Sequence, residues 1–203
     1  MSYPNFFVVE GPDGCGKSTQ AKLIAFYLRQ RGKDVLLTAE PTGLYKSIMK
    51  ELDVGPFDNA LLTARVLVAD RMQHCRGQII PALERGRIVV CDRFEPSTFA
   101  YQMAQGVSKD DITKLHDQPD FIRPSTVFLI DLPFEEAQQR IKTRGARSEF
   151  ESDDYQRNVH RHYDLVERLM PHYGKRFVRI SGEGNPQKVF EKIKESLDQR
   201  MYD

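Results

Sequence analysis

Apolar residues fall along this chain in two alternating rhythms. Five short runs, Asn5–Glu10, Val35–Ala39, Ile88–Asp92, Thr126–Asp131 and Phe177–Ser181, are rich in Val, Ile, Leu and Phe with little polar interruption. Such runs suit strands buried on both faces. Between them the apolar positions recur at helical spacing, and the pattern predicts helices at about 17–31, 44–53, 58–85, 95–105, 109–118, 134–143, 152–172 and 186–200. Alternation of the two predicts an α/β fold: a five-stranded parallel sheet joined by right-handed crossovers, with helices on both faces in three layers. Gly32 and Gly86 stand where a left-handed helix cap is favoured. Pro133 and Asn185-Pro186 stand where a helix begins and tolerates proline. No repeat, low-complexity tract or linker interrupts the 203 residues, so one domain over 1–203 is expected.

Charge narrows the field. Lys and Arg number 30 against 29 Asp and Glu, so no global basic field points to a nucleic-acid polymer or a membrane surface. The apolar runs are too short to span a bilayer. The N-terminal residues lack a basic region followed by an apolar stretch, which predicts no signal peptide. Three cysteines, Cys15, Cys75 and Cys91, have no paired or zinc-like spacing. A reducing, cytoplasmic setting is the expectation.

Chemistry enters at residues 11–18. Gly11, Pro12, Asp13, Gly14, Cys15, Gly16, Lys17 and Ser18 match G-x-x-x-x-G-K-[ST], after a strand-like run and at the opening of a helical segment. Glycines let backbone N–H groups approach phosphate oxygens, and a helix N-terminus adds partial positive charge there. Lys17 carries a full charge to the β- and γ-phosphates, and the Ser18 hydroxyl suits Mg²⁺. Thr19, deeper in the first turn, is either a cap or a neighbour of the α-phosphate. Cys15 reads as a small residue tolerated by a tight loop, with a thiol activated by the helix terminus as the less favoured alternative.

A second constellation, Asp92-Arg93-Phe94, ends the third apolar run, with Ser97, Thr98, Tyr101 and Gln102 following. In open α/β sheets ligands gather at the carboxyl ends of strands, so Arg93 is expected in the same crevice as Lys17, where a guanidinium can grip a phosphate with two parallel bonds. Asp92 either orients the ligands of a metal or pairs with Arg93. Arg71, on a long amphipathic segment, reads by itself more readily as a solvated helix arginine than as a pocket residue.

These stretches together resemble the thymidylate kinase family over most of the chain. The resemblance rests on Glu10 through Thr19, Glu40-Pro41-Thr42, Ala69-Asp70-Arg71 with Pro81-Ala82-Leu83, Asp92-Arg93-Phe94 through Ser97 to Ala100-Tyr101-Gln102, and more weakly Arg144 to Glu149. It implies a P-loop kinase fold with a mobile lid at about 142–153, ATP as donor, Mg²⁺ as cofactor and a homodimer. It implies that Asp13 meets the acceptor's sugar 3′-hydroxyl, that Arg71 hydrogen-bonds the thymine edge, and that Arg93 clamps the acceptor phosphate. Thr98, Tyr101 and Gln102 then contact the base or shield the 2′ side of the sugar, and Glu40, Leu67 and Ser97 complete the acceptor set. Arg140, Arg144 and Arg147 fall in or beside the lid, with Arg147 as the catalytic arginine. The chain departs from the family pattern at Ala39, where an arginine is common, at Leu67, where an aromatic residue stacks on thymine, and at Ala146 before Arg147.

The resulting expectation is in-line transfer from ATP·Mg²⁺ to a deoxynucleoside monophosphate, dTMP first. A broader deoxynucleoside monophosphate kinase and, more remotely, a P-loop ATPase or regulatory nucleotide-binding module are the alternatives.

Overall fold

The structure, a computed structural model, describes residues 2–118, 121–143 and 153–202. Its sheet holds five parallel strands, β1 (Ser2–Glu10), β2 (Val35–Ala39), β3 (Ile88–Asp92), β4 (Arg123–Asp131) and β5 (Phe177–Ser181), in the order β2-β3-β1-β4-β5. All five expected strands form. β1 and β4 start three residues earlier than the apolar runs, because Ser2 and Tyr3 pair with Arg123 and Pro124 before a register shift. The carboxyl ends are level: Val9 and Ala39 both lie opposite Asp92, and Asp131 lies opposite Ser181.

Strand periodicity sorts the core into two halves. Phe6 and Val8 point to one face, where they pack among Cys75, Ile79, Leu83, Phe94 and Val166. Phe7 and Val9 point to the other, against Ile24 and Leu28 of α1 (Lys17–Gln30) and Phe190 and Ile193 of α9 (Pro186–Tyr202). Each such fully buried side chain contributes about 1.5–3 kcal/mol of transfer free energy.

The segment expected as one helix over 58–85 is divided. α3 (Ala60–His74) passes into a π turn (Cys75–Ile79) and then α4 (Ile80–Glu84). Pro81 explains the change, since it has no N–H for an i−4 bond and its ring crowds the preceding turn. The wider turn absorbs this, with the Ile80 N–H reaching back to the Cys75 carbonyl. The segment over 152–172 likewise stops early: α8 (Asp153–Leu169) gives way to a 3-10 turn that opens at Pro171. The remaining helices are α2 (Gly43–Glu51), α5 (Glu95–Ala104), α6 (Lys109–His116) and α7 (Phe134–Lys142). Among the described residues no helix is long and apolar enough to cross a membrane.

Candidate active site

The glycine-rich loop leaves β1 and enters α1 through three residues of positive φ, Gly11, Gly14 and Gly16. Two of them have no room for a side chain. A Cβ on Gly11 would lie 2.5 Å from the Ile130 carbonyl oxygen, and one on Gly14 would lie 2.4 Å from that of Ala137. Gly16 is the N-cap of α1, so no side chain caps this helix, and its first turn has no acidic residue. Thr19 is therefore not a cap; it is exposed in the first turn, as is Ser18. An uncapped helix N-terminus beside backbone of this shape is suited to an anion. Cys15 is buried, and burial pushes its thiol up more than Lys17 pulls it down. The activated-thiol alternative is thereby overturned.

Lys17 is buried and folds back on the loop, its Nζ 3.1 Å from both the Pro12 carbonyl and Asp13 Oδ1. Asp13 Oδ1 also accepts from Arg93 Nη2. Burial by itself would raise the Asp13 carboxyl, but Lys17 and Arg93 outweigh it and hold the group well below the usual carboxylate range. Asp13 thus joins the phosphate loop to the end of β3.

Arg93 occupies the left-handed region, φ 72°, a conformation few arginines adopt. Its N–H donates to the Val9 carbonyl at 3.0 Å, which ties the strained residue to β1. Its Nη1 donates to Ser97 Oγ at 3.3 Å and its Nη2 to the Tyr101 hydroxyl at 3.1 Å. Its acidic partner is Asp13, not Asp92, so the pairing of Asp92 with Arg93 is not what forms. Instead Asp92 Oδ1 is buried and takes no hydrogen bond among the described residues.

Glu10, which stands in the recognised motif without an assigned role, fixes this corner. Its two carboxylate oxygens accept from the Phe94 N–H at 2.7 Å, the Ser97 N–H at 3.1 Å, the Ser97 hydroxyl at 2.7 Å and the Tyr163 hydroxyl at 2.9 Å. Glu10 is fully buried at the start of α5, and burial pushes its carboxyl up although Arg93 and these bonds pull it down.

Asp13, Glu40, Leu67, Arg71, Arg93, Ser97, Thr98, Tyr101 and Gln102 line one cavity of about 300 Å³, so every expected acceptor residue reaches the same space. Arg71 is buried rather than solvated, at 3% exposure. Its Nε donates to Glu40 Oε2 at 2.7 Å, its Nη2 to Thr98 Oγ1 at 3.1 Å, and its Nη1 lies 2.7 Å from His116 Nε2. Glu40 Oε1 is also 3.1 Å from His74 Nδ1. Asp70 accepts from the N–H groups of Thr42 at 2.7 Å and Tyr45 at 3.1 Å, which anchors the start of α2 at the cavity wall. Gln102 Oε1 is buried with no hydrogen-bond partner among the described residues.

On the far side of the phosphate loop Arg140 braces the turn after β5. It donates to Glu136 Oε1 at 2.5 Å and to the carbonyls of Gly182 at 3.1 Å and Gly184 at 3.3 Å. Arg144, Arg147 and nearly all of the expected lid lie outside the described residues. Sequence reasoning missed Glu10, His116, Tyr163 and Gln156, the last 3.4 Å from Asp13 Oδ2 through its Nε2. None could be given a role from its neighbours, because each acts on a partner far away in sequence.

Comparison with known proteins bears on the family. The family model described as Thymidylate kinase matches residues 9–193. A probable thymidylate kinase of Pyrococcus abyssi is 40% identical over 166 residues, covering 78% of this chain and 80% of that protein. The thymidylate kinase of Caldicellulosiruptor saccharolyticus is 35% identical over 200 residues, with 95% of each chain covered. That of Exiguobacterium sp. is 36% identical over 203 residues, covering 97% of this chain and 95% of its own.

Proposed function

The chain belongs to the thymidylate kinase family, and on that premise we propose that it transfers the γ-phosphoryl group of ATP to dTMP, forming ADP and dTDP. The observation that carries the reading is Asp13 between Lys17 and Arg93: it puts the phosphate loop and the acceptor cavity within one hydrogen-bonded unit. A phosphate monoester is already nucleophilic, so no strong base is needed, and catalysis rests on alignment and charge. Arg93 holds the acceptor phosphate, Lys17 exchanges its loop partners for the β- and γ-phosphates, and the lid supplies Arg147 and excludes water. Arg71 takes the base edge, Asp13 the 3′-hydroxyl, and Tyr101 shields the 2′ side of the sugar. Arg140 holds the turn that walls the adenine.

Magnesium belongs to this reading. The buried Asp92 Oδ1, without a hydrogen-bond partner among the described residues, and the exposed Ser18 hydroxyl are hard oxygen donors of the type that cation takes. When bound, Mg²⁺ neutralises charge on the β- and γ-phosphates. The reading also includes one domain with a lid at about 142–153, a homodimer and a cytoplasmic location, the last in keeping with three free buried cysteines.

The test is ADP release with ATP·Mg²⁺ and a panel of deoxynucleoside monophosphates. Preference for dTMP is the expected result. Equal turnover of dTMP, dCMP and dGMP would replace it with a broad kinase. ADP release undiminished without acceptor would overturn both in favour of an ATPase, a reading the second nucleotide cavity argues against.

A further inference from the structure

Arg71 has five N–H donors, and three elements claim three of them. Glu40 at the end of β2 takes Nε, Thr98 on α5 takes one hydrogen of Nη2, and His116 on α6 takes one hydrogen of Nη1. His116 fills this role only as an acceptor. Its Nδ1 lies 2.8 Å from the Ile112 carbonyl and must donate to it, which leaves a lone pair on Nε2 for the guanidinium. The rings of Phe99 and Phe121, centred 5.8 and 5.2 Å away, keep the imidazole in place. Burial pushes His116 down to about 4, so it stays neutral near pH 7. Among the described residues two N–H donors of Arg71, one on each terminal nitrogen, have no partner, and Arg71 lines the cavity.

We propose that His116 is a positioning residue for acceptor recognition: it locks Arg71 so that the two remaining donors meet a carbonyl-type oxygen on the base. The proposal rests on the dTMP reading above. It assigns the choice of an oxo over an amino group at that edge partly to a residue one layer behind the cavity. An arginine freed at Nη1 turns toward other acceptors, and its discrimination falls.

Steady-state kinetics of His116→Phe and His116→Gln test this, with dTMP and dCMP as acceptors. His116→Phe is expected to raise KM for dTMP about tenfold or more, from loss of a bond to a charged group. Its kcat and its KM for ATP stay unchanged, and its preference for dTMP over dCMP shrinks. His116→Gln, whose amide oxygen can accept from Nη1, recovers most of the loss. An unchanged KM for dTMP overturns the proposal, and so does a joint change in kcat and both KM values, which marks a general packing role. If His116→Phe does not fold, the ¹⁵N resonance of Nε2 in the native protein decides. It should move with dTMP and stay in place with 2-deoxyribose 5-phosphate, which lacks the base; no movement with dTMP overturns the proposal. Failure of the native enzyme to turn over dTMP at all is a separate result and removes the functional reading itself.

Discussion

The two halves of the site handle charge in opposite ways. The phosphate loop is backbone: eight consecutive residues, three positive-φ glycines and an uncapped helix end. The acceptor cavity is side chain: Arg71 is held by Glu40, Thr98 and His116, and Arg93 by Asp13, Ser97 and Tyr101. Backbone donors bind any polyphosphate and need no partner while water is near. Buried cations need carboxylates, or their desolvation would unfold the region. On the proposed function the loop supplies affinity and rate at little structural risk, whereas the cavity supplies selectivity and is part of the core.

The comparison can be broken most sharply at Lys17. Lys17→Ala is expected to lower kcat about a thousandfold, in line with loss of one group that stabilises developing charge. Stability should change by less than in Glu40→Ala in urea unfolding, because Asp13 keeps Arg93 as a partner. Comparable destabilisation and rate loss would show that the loop is also structural.

Glu40→Ala probes the other half. It strands Arg71 at 3% exposure and removes a partner of His74, so a cost of about 3 kcal/mol is expected in the same measurement, together with weaker dTMP binding. Loss of binding at unchanged stability would mean that water compensates the cavity, and the contrast between the halves would fade.

Acid separates them by pH window. His116 titrates near 6.5 when unfolded and near 4 when folded. Between those values the unfolded chain binds the extra proton, so stability falls as pH drops from about 6.5 to 4, by up to about 3 kcal/mol. Asp13 is shifted in the same direction but in a lower window: its folded pKa is depressed, so its contribution is present above 3.8 and is lost only as pH falls further. Urea midpoints across this range, compared between the native protein and His116→Gln, should show the first slope shrink, His160 keeping a share because burial lowers it too, and the second remain. A slope that survives undiminished in His116→Gln assigns it to other groups.

Leu67→Phe is the finest adjustment. Leu67 lines the cavity where the family carries a ring that stacks on thymine, and an aromatic contact adds about 0.5–1.5 kcal/mol. KM for dTMP should drop between about twofold and tenfold with kcat constant. An increase would mean that the cavity is already filled to the leucine.

Much of this molecule could be read before any coordinates. Strand positions followed from runs such as Ile88–Asp92, whose apolar continuity has no other use in a chain of this polarity. Lys17 and the glycines were legible because their geometry is made by neighbours in sequence. The breaks at Pro81 and Pro171 were not read from the sequence, because apolar periodicity over 58–85 and 152–172 records which face is buried and not how the backbone turns. Arg71 misleads in isolation: its burial depends on Glu40, 31 residues away, and on His116, 45 residues away.

The sequence alone determined the α/β alternation, the phosphate loop and the identity of the charged groups, because each depends on residues within one or two turns of one another. Only the tertiary structure decided which charges meet. Parallel strands bring the ends of β1, β2 and β3 side by side, and a carboxylate buried there takes whichever cation the packing delivers. That selection gave Arg93 to Asp13 rather than to its neighbour Asp92, and gave Arg71 a neutral histidine as its third partner.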